Sequence, residues 1–114
     1  MSPPAPPSRI DMLLGFIAQK PSDPFPRYAL ALEYKNAGRL EEARAVFTEL
    51  MSVAPDYTAT YLHAGDLLAK MGRRDEARAV FETGVEVATR RGDTHSRGEI
   101  EAALAALPDQ RPPE

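Results

Sequence analysis

A ten-residue stretch that occurs twice constrains this chain more than any other feature. Gly38-Arg39-Leu40-Glu41-Glu42-Ala43-Arg44-Ala45-Val46-Phe47 returns as Gly72-Arg73-Arg74-Asp75-Glu76-Ala77-Arg78-Ala79-Val80-Phe81, 34 residues later. Val53-Ala54 returns as Val87-Ala88 at the same offset, and Pro21 with Pro55 and Leu13 with Phe47 keep it too. A unit of this length cannot bury its own apolar face, so successive units must stack into an array with one continuous core. Leu13 in register with Phe47 makes the first segment the second half of an earlier, truncated unit.

The units are helical. Apolar residues recur three and four apart between the two proline-rich ends, and no stretch alternates at period two with β-branched enrichment. Ser8, with Asp11 in the capping-box place, opens a first helix whose stripe is Ile10, Leu13, Leu14 and Ile17. Asp23 caps a second helix with Pro24 at its first position, and this helix runs to about Asn36. Further helices are predicted over about Leu40 to Val53, Thr58 to Met71 and Asp75 to Arg90, where Gly92 supplies the C-terminal turn. Ser96 with Glu99 reads as a second capping box opening a last helix. Its stripe is Ile100, Ala103, Leu104 and Leu107, and Pro108 ends it. Gly38 and Gly72 provide the positive φ of the turn inside each helix pair. Ala43 and Ala77 suit close helix contact, and Phe47 and Phe81, four residues on, share their face.

Glycine at the turn followed by A-x-x-x-F, twice and in register at a 34-residue period, resembles the tetratricopeptide (TPR) repeat family. The resemblance covers about Pro24 to Arg91 and extends back to Ser8. The whole chain is similar to small bacterial stand-alone proteins of two such repeats closed by an extra helix. The departures are Arg27 in place of an early aromatic (Tyr61 in the second repeat), Ala64 for a leucine, Gly84 for a larger apolar residue, and Thr89 for the closing proline. The last of these predicts a fifth helix running on toward Arg91. The resemblance implies an all-α fold, an antiparallel helix-pair solenoid of about six helices. The expected organisation is a half-repeat over 8–22, repeat one over 24–57, repeat two over 58–91 and a capping helix over 96–107, forming a single domain over 8–107. Residues 1–7 and 108–114 are expected to be disordered tails. Seven of the eleven prolines sit in these ends, where a missing N–H and a fixed φ oppose both helix and sheet. The P-x-x-P spacing in Pro3-Pro4-Ala5-Pro6-Pro7 is a weak signal in so proline-rich a segment.

Composition narrows the chemistry. The chain has no cysteine, so it offers no disulfide, thiol nucleophile or thiolate-held metal. Its net charge of −3 gives no basic field for nucleic acid or anionic lipid. No apolar run reaches the roughly 20 residues of a bilayer span. The N-terminus lacks a basic region followed by an apolar one, so cytoplasmic localisation is expected. Eleven arginines against three lysines fit a GC-rich bacterial genome. The two histidines, His63 and His95, lack partners at metal-ligand spacing, apart from Asp66 three residues after His63. Glu41-Glu42 and Asp75-Glu76 open helices, where acid suits the dipole and adjacent residues do not face each other. No phosphate loop or nucleophile elbow occurs. Arg73-Arg74 and Arg90-Arg91 read as locally paired or dipole-stabilised charge, with Glu86 four residues before Arg90 as its expected partner. No enzyme activity, cofactor or metal is expected.

The remaining reading is contact with other proteins. The family resemblance places Phe25, Tyr28, Leu32 and Lys35 of repeat one on the concave face, with Ala59, Leu62, His63, Asp66 and Lys70 of repeat two. An apolar strip grouped on a groove implies contact with a partner peptide, a second copy, or cover from the proline-rich tail or the last helix. The resemblance therefore implies a non-enzymatic adaptor, scaffold or assembly factor binding an unidentified protein or peptide. The alternative is a homo-oligomer, a homodimer for example, that pairs through the same groove. Neither nucleic acid nor membrane is an expected partner. Repeats of this family that hold chaperone C-terminal carboxylates use a Lys, Asn and Arg clamp. Tyr28, Leu32 and His63 stand at three of its places, which excludes that ligand.

Overall fold

In a computed structural model of the chain, residues 8–108 are described and form six α-helices. They are α1 (Arg9–Gln19), α2 (Pro24–Asn36), α3 (Leu40–Val53), α4 (Ala59–Lys70), α5 (Arg74–Arg91) and α6 (Thr94–Ala106). Each helix packs on the next, and α2, α4 and α6 also touch in succession. The result is two rows, α1, α3 and α5 on one side and α2, α4 and α6 on the other. The expectations for Met1–Pro7 and for residues 109–114 lie outside the described residues.

Local chemistry sets the boundaries. The Ser8 hydroxyl accepts from the Asp11 amide at 3.1 Å, and the Asp23 carboxylate accepts from the Phe25 amide at 3.1 Å. Gly38 and Gly72 adopt φ of 78° and 79°. The amides after them reach back to the last turn of the helix, Arg39 to the Tyr34 carbonyl at 2.9 Å and Arg73 to the Leu68 carbonyl at 2.8 Å. This is the Schellman arrangement, which satisfies helix-end carbonyls only if the residue before it tolerates left-handed φ. Arg39 and Arg73 then bond Glu42 and Glu76 three residues on, closing both turns in the same way.

Two local expectations change. The last helix opens at Thr94, not Ser96, because Asp93 is its cap and accepts from the Ser96 amide at 3.0 Å. Asp93 also accepts the Thr58 hydroxyl at 2.9 Å, tying α6 to the start of α4. His95 thereby lies in the helix rather than a loop, 2.7 Å from Glu99. Arg90 pairs with Asp56 at 2.9 Å, across the fold, where Glu86 was the expected partner.

The core follows the repeat. Ala43, Phe47, Ala77 and Phe81 are all buried, at equivalent places in successive layers. Leu13, Leu30, Ala31, Tyr34, Ala64 and Leu67 join the first of two clusters, and Tyr61, Leu68, Val87, Ile100 and Leu107 the second. The repeated valines part company here: Val53 is 52% exposed and Val87 4%, because α6 lays Ile100 and Leu107 into the cluster around Val87.

Candidate functional site

The row of α2, α4 and α6 carries a polar trough of about 210 Å³ lined by Tyr28, Thr58, Ala59, Leu62, His63, Ser96, Glu99 and Ile100. Tyr28 projects from the first half of α2. Its ring stands edge-on to Tyr57 and to His63, with centroids 5.5 Å apart in both cases and interplanar angles of 68° and 67°. Edge-to-face packing of this kind fixes ring orientation, so the aromatic surface is held in place before any ligand arrives. Burial, then the nearby Tyr57 and Glu99, raise the Tyr28 phenol above its ordinary pKa, so it stays a neutral donor. Burial and then Lys35 lower the His63 pKa below 6.5, against the opposing pull of Asp66 and Glu99. His63 is therefore a neutral imidazole at neutral pH, able to donate one hydrogen bond and accept another.

Several of the residues expected on this face come together and others do not. Tyr28, Leu62 and His63 line the trough, and Lys35 and Asp66 lie close enough to act on His63. Leu32 is partly buried against the first core cluster. Lys70 is exposed at the last position of α4. Phe25 stands apart, 61% exposed. It faces a separate apolar cavity of about 210 Å³ with Met12, Leu13 and Phe16 of α1 and Pro26 and Ala29 of α2. The reason is positional: Phe25 is the second residue of α2, beside the helix that precedes it, and not on the side toward α4.

Sequence reasoning did not place Tyr57, Ser96 and Glu99 here. Tyr57 follows the helix-ending Pro55 in a segment read only as a connection. Ser96 and Glu99 have the spacing of a cap, and nothing in an amphipathic pattern says which flank of its stripe will border a groove. A second depression, about 280 Å³ and mainly apolar, runs between α3 and α5 on the other row, with Phe47, Met51, Leu67 and Val80 in its wall. Among the described residues no group of three or more His, Asp or Glu could hold a metal ion. None of the described helices is long and apolar enough to cross a membrane.

Tetratricopeptide repeat family models match residues 36–93 and 24–47. The chain is 38% identical to a crystal structure of a tetratricopeptide repeat domain protein from Salinibacter ruber, with 75% of this chain and 96% of that one covered and a TM-score of 0.71. A solution NMR structure of a tetratricopeptide repeat domain protein from the same organism gives 34% identity, 83% and 98% coverage and a TM-score of 0.76. The solution structure of a protein from Bordetella parapertussis shares the fold at a TM-score of 0.76 and 24% identity, covering 90% of this chain and 89% of its own. No curated protein gives a significant match.

The chain belongs to the tetratricopeptide repeat family. Its fold is the all-α helical repeat that the 34-residue period implied. Repeats of this family generally mediate protein–protein interaction and are generally not enzymes.

Proposed function

We propose that this protein is an adaptor or assembly factor that binds an extended peptide or protein segment in the trough formed by α2, α4 and α6. The observation that carries the reading is Tyr28, partly buried and clamped edge-on between Tyr57 and His63 at the floor of a groove. Rigid aromatic anchors dominate binding interfaces because they bury a large area at little entropic cost. Around it, neutral His63 and Ser96 offer hydrogen bonds, and Glu99, Asp66 and Lys35 offer charge of both signs. That mixture suits a peptide with an apolar side chain flanked by polar groups, rather than a uniformly acidic or basic ligand. Self-pairing through the same trough has less support, because α6 already walls one side of it.

The test uses peptides selected against the wild-type protein from a random display library. Tyr28→Ala is expected to weaken them by about 2 kcal/mol, roughly thirtyfold, while exposed Glu82→Ala on α5 leaves affinity unchanged. Equal affinity for the folded Tyr28→Ala protein moves the site off this face.

A further inference from the structure

The polar atoms around the trough are unevenly matched, and the cause is Asp93. This residue caps α6 and accepts the Thr58 hydroxyl at 2.9 Å. Hydrogen bonds from the Ser96 hydroxyl and amide, then from the Thr58 hydroxyl, hold the Asp93 carboxyl below its ordinary pKa, so it stays ionised and can only accept. A hydroxyl has a single proton. Thr58 and Ser96 both give theirs to Asp93, and each is left with only lone pairs to offer a ligand. Neutral His63 adds one ring-nitrogen acceptor, and Glu99 adds a carboxylate. Against these acceptors stand two donors, the Tyr28 hydroxyl and the His63 N–H.

Charge leans the same way. On the outer surface, acids are held by arginines of the same chain, as Glu42 is by Arg39 and Glu101 by Arg97, both at 2.6 Å. Glu99 contacts no arginine or lysine among the described residues; it meets His95 through Oε1 at 2.7 Å. Its field reaches the Tyr28 hydroxyl, and that of Asp23 reaches Tyr57. Both members of the aromatic pair therefore sit in the field of a carboxylate. Lys35 acts on His63 but does not line the trough.

We propose that the trough selects the guanidinium of a single arginine in the bound peptide, seated on the Tyr28 ring with its N–H groups on Glu99, Thr58 and Ser96. This rests on the reading of the trough as a peptide groove and adds the residue type it recognises. A guanidinium has five donors and no acceptor, the complement of this lining. It is planar, stacks on aromatic faces and is more weakly hydrated than an ammonium, which favours arginine over lysine. Within the fold the same pairing occurs, with the Arg39 guanidinium 4.7 Å from the Tyr34 ring centroid. Ala59 and Leu62 give the methylene stem of the arginine an apolar wall. An acidic side chain in the same place would meet Glu99 and a row of acceptors, with two donors to hold it.

The test starts from peptides selected against the wild-type protein from a random display library. An arginine is expected at a common position among them. In a synthetic copy, citrulline at that position keeps the shape and removes the charge, and should weaken binding roughly tenfold or more. Lysine in its place should bind less well than arginine. Glu99→Gln, at a half-exposed position, should stay helical by circular dichroism and bind the arginine peptide roughly tenfold less well than the wild type does. In that variant the citrulline exchange should cost little further, because the two changes remove one interaction. Selected peptides that need Tyr28 but share no arginine overturn this proposal and leave the trough reading standing. So does a citrulline loss as large in Glu99→Gln as in the wild type, or lysine binding as well as arginine. Arginine peptides that bind the folded Tyr28→Ala protein as tightly as the wild type overturn both readings, as does a library that yields no binder.

Discussion

The two full repeats share a register but not a distribution of volume. Where repeat one has Leu30, Ala31, Tyr34 and Leu50, repeat two has Ala64, Gly65, Leu68 and Gly84. The lost volume is taken up by neighbours. A Cβ on Gly65 would lie 2.2 Å from the Phe81 ring, and one on Gly84 would lie 2.5 Å from the Cβ of Tyr61. Repeat one puts the bulk on the outer helix as Leu50 and reaches across with the long stem of Arg27. Repeat two empties the outer helix at Gly84 and fills the space with Tyr61. Polar ends follow the same exchange. Arg27 donates to the Pro21 carbonyl and Tyr61 to the Pro55 carbonyl, in each case six residues back. The arginine is therefore not a lapse in the pattern: its stem packs and its guanidinium makes the tyrosine's hydrogen bond, with Glu49 at 3.2 Å balancing the extra charge. What the repeat conserves is a set of filled volumes and satisfied carbonyls, and more than one pair of residue types meets it.

That equivalence can be broken most directly at its centre. Phe47→Ala and Phe81→Ala should each cost about 3–5 kcal/mol, because both rings are fully buried in a layer with little freedom to collapse. The loss is read from denaturant titration. A cost below about 1 kcal/mol at either site would mean that the two rings do not occupy equivalent core positions.

Giving repeat two the residue of repeat one is the next test. Gly65→Ala should destabilise by about 1–3 kcal/mol, against the roughly 1 kcal/mol that alanine normally gains in a helix. The added methyl meets a ring already packed in place, whereas Ala31 is accommodated in repeat one. A raised melting temperature would show that Phe81 has room to move and that the difference between repeats is incidental.

The smallest effect concerns the shared carbonyl bond. Tyr61→Phe keeps the packing and removes only the 2.6 Å bond to Pro55. A loss of about 1 kcal/mol is expected, seen as a drop of a few degrees in melting temperature. No change would mean that water satisfies the Pro55 carbonyl equally well.

Much of this architecture was legible in the residues. Two ten-residue stretches alike at eight positions located the turns at Gly38 and Gly72, and caps such as Asp23 with Pro24 located helix starts, because a helix end has few chemically acceptable partners for its free amides. The trough was legible in part. Tyr28, Leu62 and His63 followed from the repeat, since equivalent positions face the same way. Phe25 did not, because its neighbour is α1, whose pairing with α2 lies outside the full repeat. Ser96, 34 residues after Leu62, keeps the place of Tyr28 and Leu62 on the trough, whereas Glu99, 34 after the buried Gly65, does not. Ile100 is buried where Asp66, 34 residues before it, is exposed, so α6 is rotated relative to the helix it continues.

The sequence by itself thus determined the helices, their order and the layers in which they stack, because each depends on contacts within one period and both periods carry the same turn glycine and A-x-x-x-F positions. The tertiary structure alone decided what happens at the two ends. There the period stops and no equivalent neighbour dictates the packing. The lie of α6 follows from Asp93, Ile100 and Leu107 finding partners on α4 and α5, and the exposure of Met12, Phe16 and Phe25 follows from the lack of a preceding helix among the described residues.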